Sequence, residues 1–443
     1  MKPFRSVPAV HRLTGAAILA ALCGPLLGAE APIHSPRAQP ETFSIERIVS
    51  QAMEANAEVK FYEAEIQAAR AGRTSAGAWR NPELAGGVGQ KSATGGGLAS
   101  EGVAWSVSLM QPFEWPGRIG LRKAIANRDQ ELANLGLERF KSDLAGRIRT
   151  LAFSLLVAQE KSAVARDVAD RFKSLREVLV QRDPAGLTPL LEVRVIEAIE
   201  LNAQRRASAS LLTIHSALLT LNQLRGAKPD DALVVEPSVL RFPPPESIPN
   251  LLEAARTNNF ELRTRTAELL QQGLRVSLAR NERYPSFSLG PTVSEERVGG
   301  GRERILGVGI ALPLPLWTRN KGNVDMAAAR QLQAEASLTA AEREMERKVI
   351  EFARTYEAKL SEMAQWQPDS IGHFQEAAEL ADRHYRLGAV PISTYVELQK
   401  QYYEAVEGLL DTKKEAVEAA AQLEMLTGLR LPLSQTAPSG EKK

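Results

Sequence analysis

The residues best able to ligate a metal or attack a substrate are few in this chain, and their spacing suits neither task. Of 443 residues, five are histidine and one is cysteine. His11, His34, His215, His373 and His384 form neither a His-x3-His pair nor a His/Glu cluster, the spacings that aim ligands at one zinc ion. Met53, Met110, Met326, Met345, Met363 and Met425 are dispersed, which suits core filling better than a soft-metal ladder. No Gly-x-Ser-x-Gly elbow, phosphate loop or dinucleotide fingerprint occurs. Carboxylates abound, but at helix-surface spacing, as in Glu342-Arg-Glu344 and Glu346-Arg-Lys348, where i,i+4 pairing in water accounts for them. The sequence predicts no enzyme, no cofactor and no resident metal site.

One stretch does gather titratable and turn-forming residues: Tyr385-Arg-Leu-Gly-Ala-Val-Pro-Ile-Ser-Thr-Tyr-Val-Glu397. Gly388 tolerates the left-handed geometry of a helix C-cap and Pro391 suits a first helical turn, so the stretch reads as the tip of an αα-hairpin. A Glu397 carboxylate set in a narrow passage would focus the field and concentrate cations; on an open face it would be an ordinary solvated side chain. The same punctuation occurs in Ala185-Gly-Leu-Thr-Pro189. Gly186 and Gly388 are 202 residues apart, as are Pro189 and Pro391. An offset near half the chain marks an internal duplication.

The rest of the chain keeps an offset of 202 or 203. Asn56-Ala-Glu-Val59 returns as Asn259-Phe-Glu-Leu262, Pro82 as Pro285, and the terminator Leu224-Arg-Gly226 as Leu426-Thr-Gly428. The first repeat is placed at 43–226 with a β-hairpin at 82–113, the second at 248–428 with a β-hairpin at 285–316. A Pro-rich linker, 227–247, joins them. Each hairpin leads into a very long helix, about 119–182 and about 320–386. The second is expected as one rod on the order of 100 Å. Its stripe, Leu338, Met345, Val349, Phe352, Tyr356, Leu360 and Met363, has coiled-coil spacing. Helices of half that length return from Pro189 and Pro391. Length matching predicts that helix 189–225 stacks on helix 249–283, and helix 391–427 on helix 44–80.

The ends read differently. Lys2, Arg5 and Arg12 precede the apolar run Leu13 to Leu27, then Gly28 and Ala29, which fits a secretory signal over 1–29. Cys23 lies inside it, and Leu22 before it argues against a lipoprotein signal. The segment 30–42 is expected to be mobile and the tail 429–443 disordered. Lys and Arg number 55 against 53 Asp and Glu, so no basic face for nucleic acid is implied.

After each Pro the period changes to that of a strand. Phe287, Leu289 and Val293 alternate with small or polar residues. So do Leu306, Val308, Ile310, Leu312, Leu314 and Leu316, and, in the first copy, Val103, Trp105, Val107 and Leu109. One wholly apolar face over about ten residues is the pattern of a membrane-spanning β-strand; a soluble hairpin covering a core would alternate similarly. Trp79 and Tyr284 precede the first strand of each hairpin, and Trp115 and Trp317 follow the second. All four fall at the helix end of the hairpins, as interfacial aromatics do. Four strands cannot close a barrel, so other copies must supply the remainder.

The duplicated plan, the Asn-x-Glu-Leu-type helix starts, the Tyr385-x-x-Gly388 tip and the Leu426-x-Gly428 end resemble the TolC family of outer-membrane channel proteins over about 43–430. Gln111-Pro-Phe-Glu-Trp-Pro-Gly-Arg118 is similar to the strand-to-helix junction of that family's cobalt–zinc–cadmium efflux branch. The resemblance implies a mainly α fold: long coiled-coil hairpins forming a periplasmic α-barrel, with four transmembrane β-strands per protomer completing a 12-stranded β-barrel in a homotrimer. It implies an exit duct in the outer membrane of a Gram-negative bacterium, working with a periplasmic adaptor (membrane fusion protein) and an inner-membrane pump of the RND type. Drug, solvent or type I protein-secretion ducts share the plan. A periplasmic coiled-coil adaptor or scaffold is the reading from another class. Carried over to this chain, the periplasmic gate falls on Tyr385, Thr394 and Glu397, with Val390 where an Arg would link neighbours. The hairpin tips, Gly186 with Pro189 and Gly388 with Pro391, become candidate adaptor-docking points.

Overall fold

Each repeat begins with a helix that an asparagine cuts in two. A computed structural model describes residues 42–93, 100–182, 190–236, 238–298, 301–366, 370–431 and 434–436. The expected signal segment, Cys23, His34, Gly186 and Pro189 lie outside the described residues. In chain order the elements are β1 (Thr42–Phe43), α1 (Ile45–Ala55), α2 (Ala57–Ala76), β2 (Glu83–Ala93), β3 (Ser100–Phe113), α3 (Arg118–Arg182) and α4 (Leu190–Leu224). Then come β4 (Val234–Val235), β5 (Ser238–Leu240), α5 (Ile248–Asn258), α6 (Phe260–Asn281), β6 (Phe287–Val298) and β7 (Gly301–Ala311). The chain closes with α7 (Lys321–Gln365), α8 (Ser370–Arg386), α9 (Ile392–Thr427) and β8 (Ser434–Thr436).

Asn56 is extended, with ψ 127°, and its side-chain oxygen accepts from Glu58 N at 2.8 Å, so it ends α1 and caps α2. Its amide also donates to Leu224 O at 3.0 Å. Asn259 repeats both bonds, accepting from Leu262 N at 3.1 Å and donating to Leu426 O at 3.1 Å. One buried side chain thus caps the start of one helix and the end of another, satisfying orphan groups on both. These bonds set the stacking: α4 abuts α2, and α9 abuts α6.

That corrects the sequence expectation, which paired the short helices across repeats. The pairing is within each repeat. The reason is connectivity: α2 enters α3 through its β-hairpin and α4 returns from the far end of α3, so both flank the same helix. A second correction concerns the rod expected over 320–386. It is two helices, α7 and α8, with Trp366 extended at the end of α7. Pro368 lacks an N–H and its ring would strike the carbonyl four residues back, which opposes an unbroken helix. Within α7 the expected stripe does pack as one core: Met345, Val349 and Tyr356 are buried, with Leu338, Phe352, Leu360 and Met363 against them.

The linker and tail also depart from expectation. β1 pairs parallel with β4, and Phe43, Leu233 and Val235 enter the core beneath α1, α3 and α4. Ser434–Thr436, expected as disordered tail, pairs with Ser238–Leu240. The Tyr356 hydroxyl donates to Pro243 O at 2.9 Å, tying the linker to α7. Burial pushes that hydroxyl's pKa up to about 12.

The two hairpins form one antiparallel sheet, ordered β2-β3-β6-β7, so β2 and β7 are its edges. Between β3 and β6 the ladder skips Leu109 opposite Pro291, which has no N–H to give. Gly290 lies so near that break that a Cβ would stand 1.8 Å from Leu109 O. β7 stops at Ala311, so Leu312, Leu314 and Leu316, expected in the strand, lie beyond it. Pro313 and Pro315 there can donate nothing to a ladder.

Candidate functional site

Two ends of the molecule hold the residues the sequence singled out. At the tip, α8 finishes in a Schellman turn: Gly388, at φ 73°, donates to Tyr385 O at 2.9 Å and Ala389 to His384 O at 2.9 Å. Pro391 then caps α9 from an extended conformation. Thr394 and Glu397 are exposed, one helical turn apart, and Glu397 accepts from Gln401 at 2.7 Å. Tyr385 is half-buried, its ring stacked on Tyr395 at 5.3 Å. The tip therefore brings Gly388, Pro391 and Tyr385 together, while Glu397 and Thr394 stand apart on the outer side of α9.

Sequence reasoning missed what lies beneath. Tyr395 is fully buried, with Phe172 edge-on at 5.3 Å. Its neighbours include Asp382, which accepts from Arg386 Nε at 2.8 Å. Burial, then the Asp382 charge, holds the Tyr395 hydroxyl well above the ordinary tyrosine range. The Tyr395 hydroxyl and Asp382 Oδ1 are both buried, and their mutual interaction adds to the upward shift of the hydroxyl. Asp382 and Arg386 are visible in the sequence at i,i+4 spacing; that Tyr395 rather than Thr394 faces them needs the helix phase.

At the other end, Arg118 is the buried pin of the sheet-to-helix junction. It donates to Asn281 Oδ1 at 3.1 Å, Asn281 O at 3.1 Å, Ser286 Oγ at 2.8 Å and Tyr284 O at 2.7 Å, joining the first repeat to the second. Glu114 accepts from Arg80 at 3.0 Å and Arg122 at 2.7 Å beside it. Trp79, Trp115 and Tyr284 gather at this junction. Trp115 stacks on Tyr284 at 4.6 Å, and Trp79 packs edge-on against Phe113 at 6.0 Å. Trp317 stands 94% exposed.

Beyond them the sheet has two unlike faces. Strand register places Val88, Trp105, Glu295 and Arg304 in one row, and Gly89, Ala104, Glu296 and Glu303 in the next. The face with Leu84, Val88, Leu306, Val308 and Ile310 is apolar, and each of these five is more than 70% exposed. The opposite face carries Gly89, Ser106, Ser108, Thr292, Gly307 and Gly309. No group of His, Cys, Asp and Glu among the described residues is arranged to hold a metal. The charged helix faces are paired in water as the spacing suggested; Arg347, for example, holds the Glu344 carboxyl down to about 2.

A long helical hairpin protein, duplicated, with an amphipathic sheet open at both edges, is the class these features define. Residues 251–429 match the family described as Outer membrane efflux protein. It is similar to the cobalt-zinc-cadmium resistance protein CzcC of Cupriavidus metallidurans, 28% identical over 222 residues, 50% of this chain. The match spans about half of CzcC's length, 52%. The nickel-cobalt-cadmium resistance protein NccC of Alcaligenes xylosoxydans xylosoxydans is 26% identical over 345 residues, 76% of this chain and 72% of that protein. The fold is that of the CmeC outer membrane channel of Campylobacter jejuni, at a TM-score of 0.71 and 16% identity over 87% of this chain and 85% of that one.

Proposed function

We propose that the chain is the outer-membrane exit duct of an efflux assembly, conducting heavy-metal cations passively from the periplasm to the exterior. The observation that carries the reading is the sheet: apolar on one face, small or polar on the other, with the outer edges of β2 and β7 both unpaired among the described residues. Each unpaired backbone group costs several kcal/mol in a bilayer, so such a sheet requires closure by further copies. A homotrimer supplies twelve strands, within the range of outer-membrane barrels. Trp79, Trp115, Tyr284 and Trp317 then form the periplasmic-side aromatic girdle, and the helices continue from it into the periplasm.

In this reading the hairpin tips, Gly186 with Pro189 and Gly388 with Pro391, meet a periplasmic adaptor coupled to an RND-type inner-membrane pump. Tyr385, Thr394 and Glu397 line the periplasmic gate. The metal-resistance relatives support heavy-metal cations as the cargo. With no resident metal site expected, selection belongs to the pump and adaptor.

The test is deletion of this gene alone in a host that keeps its pump and adaptor, with cobalt, zinc and cadmium tolerance measured beside membrane fractionation. Lowered tolerance restored by the wild-type gene, with the protein in the outer membrane, is the expected result. Unchanged tolerance to all three ions refutes the cargo. A soluble periplasmic protein refutes the duct.

A further inference from the structure

We infer that the outer rim of the sheet binds the phosphorylated headgroup of the glycolipid in the outer leaflet, through Arg297, Arg302 and Arg304. The inference rests on the outer-membrane reading above, which sets the apolar face toward lipid and the β6–β7 turn outward.

Strand register carries the placement. Leu306, Val308 and Ile310 share one face of β7, and Arg304 and Arg302 continue it toward the turn. On β6, Arg297 continues the face of Leu289, Val293 and Glu295. From Phe287 to Glu295 the strand climbs about 21 Å at about 3.4 Å per residue and a tilt of about 40°, close to the height of an outer-membrane apolar band. The three arginines therefore begin where hydrocarbon gives way to headgroups.

Their arrangement is held from below. Glu295 is buried, its side chain 3% exposed, and its carboxylate meets Arg297 Nε at 3.5 Å, Arg302 Nε at 3.1 Å and Arg304 Nη2 at 3.1 Å. The arginine side chains remain 60%, 55% and 58% exposed. One carboxylate cannot neutralise three guanidiniums, and each keeps further N–H donors pointing away from it. Glu101, also on this face, accepts from Gln90 at 3.1 Å, and counting it still leaves the rim cationic. In a closed barrel β7 lies beside β2 of the next copy, whose outward rim residues Gln90 and Ser92 bring no charge. The sheet's other carboxylates are sorted to the opposite face, where Glu296 and Glu303 oppose each other and Lys91 pairs with Glu296. Guanidiniums are the side chains best matched to phosphate, by paired, charge-assisted hydrogen bonds. A fixed cationic fan at headgroup depth fits a phosphorylated lipid.

The test uses the full-length protein, extracted from outer membranes and delipidated, with three probes: bisphosphorylated lipid A, its dephosphorylated form, and inorganic phosphate. Binding is followed by native mass spectrometry and thermal shift. Bisphosphorylated lipid A should bind at least about tenfold more tightly than the dephosphorylated form. The Arg297→Gln, Arg302→Gln, Arg304→Gln triple variant should lose that preference. Equal binding of the two lipids by wild type overturns the inference without recourse to any variant, as does a preference that the folded triple variant retains. Inorganic phosphate matching lipid A overturns it as well, in favour of a free-anion site. Fractionation separates the two levels: a protein absent from the outer membrane overturns the duct and this inference together. A membrane-inserted protein indifferent to the lipid phosphates overturns this inference alone.

Discussion

Replacing Asn259 by serine and by alanine separates the two bonds by which it joins α6 to α9. Serine keeps a short side-chain oxygen that can still accept from Leu262 N, but it cannot reach Leu426 O. The native donor bond is 3.1 Å and buried, so its loss strands a carbonyl, at a cost of about 1–3 kcal/mol. Alanine removes the cap too, adding about 1 kcal/mol. Hydrogen exchange of the full-length protein, read on peptides covering 259–266 and 423–431, reports local opening of this joint. With about 1.4 kcal/mol for each tenfold, serine should speed exchange there by roughly 5- to 150-fold, and alanine by about fivefold more. Peptides of α3 around Phe172, which belongs to a different core, should be unaffected. Serine exchanging at the wild-type rate would refute the idea that the second bond stabilises the joint. Serine and alanine exchanging alike would refute the cap.

Three further outcomes are expected. Gly290→Ala puts a Cβ 1.8 Å from Leu109 O, a backbone atom that cannot yield, so the heat-modifiable folded species should be lost on gels; Gly89→Ala, with open space around it, should retain it. Tyr356 has its pKa raised to about 12 by burial, so its contribution to stability is complete below about pH 10, the unfolded value, and is lost as pH rises through about 12. Tyr356→Phe should weaken the alkaline dependence of melts, which the buried Tyr395, Tyr402 and Tyr403 share, while costing about 1 kcal/mol for the bond to Pro243; an unchanged alkaline profile would assign it elsewhere. Glu397→Gln should lower the cation preference of single channels in planar bilayers, and identical reversal potentials would remove Glu397 from the conduction path.

Much of the fold was legible because the duplication repeats its punctuation. Gly388 and Gly428 adopt the left-handed geometry their positions suggested, at φ 73° and 69°. The alternation after Pro285 became β6 and β7 because strand period is short and local. Helix stacking was not legible, since both pairings of short helices satisfy the same lengths; the decision rests with the asparagine amides of Asn56 and Asn259, whose second bonds are long-range. The break after Trp366 was written as Pro368 but outvoted by an apolar stripe that runs up to it. The tip's buried chemistry was missed because helix phase, not residue type, decides whether Tyr395 or Thr394 turns inward. The arginine rim needed strand register: Arg297, Arg302 and Arg304 are plain in the sequence, but only pairing puts them around Glu295.

The interruption between α7 and α8 makes the two repeats mechanically unequal. In the first, α3 is one covalent helix from Arg118, pinned at the sheet, to Arg182 near the tip. A twist applied at that end travels along a continuous spine of backbone hydrogen bonds. In the second, the corresponding stretch is two helices, α8 and α7, and α9 meets α6 through the side chain of Asn259 as α4 meets α2 through that of Asn56. The first repeat thus offers one helix from the sheet toward its tip and the second offers two, so hydrogen exchange should open the C-terminal end of α7 before it opens the middle of α3.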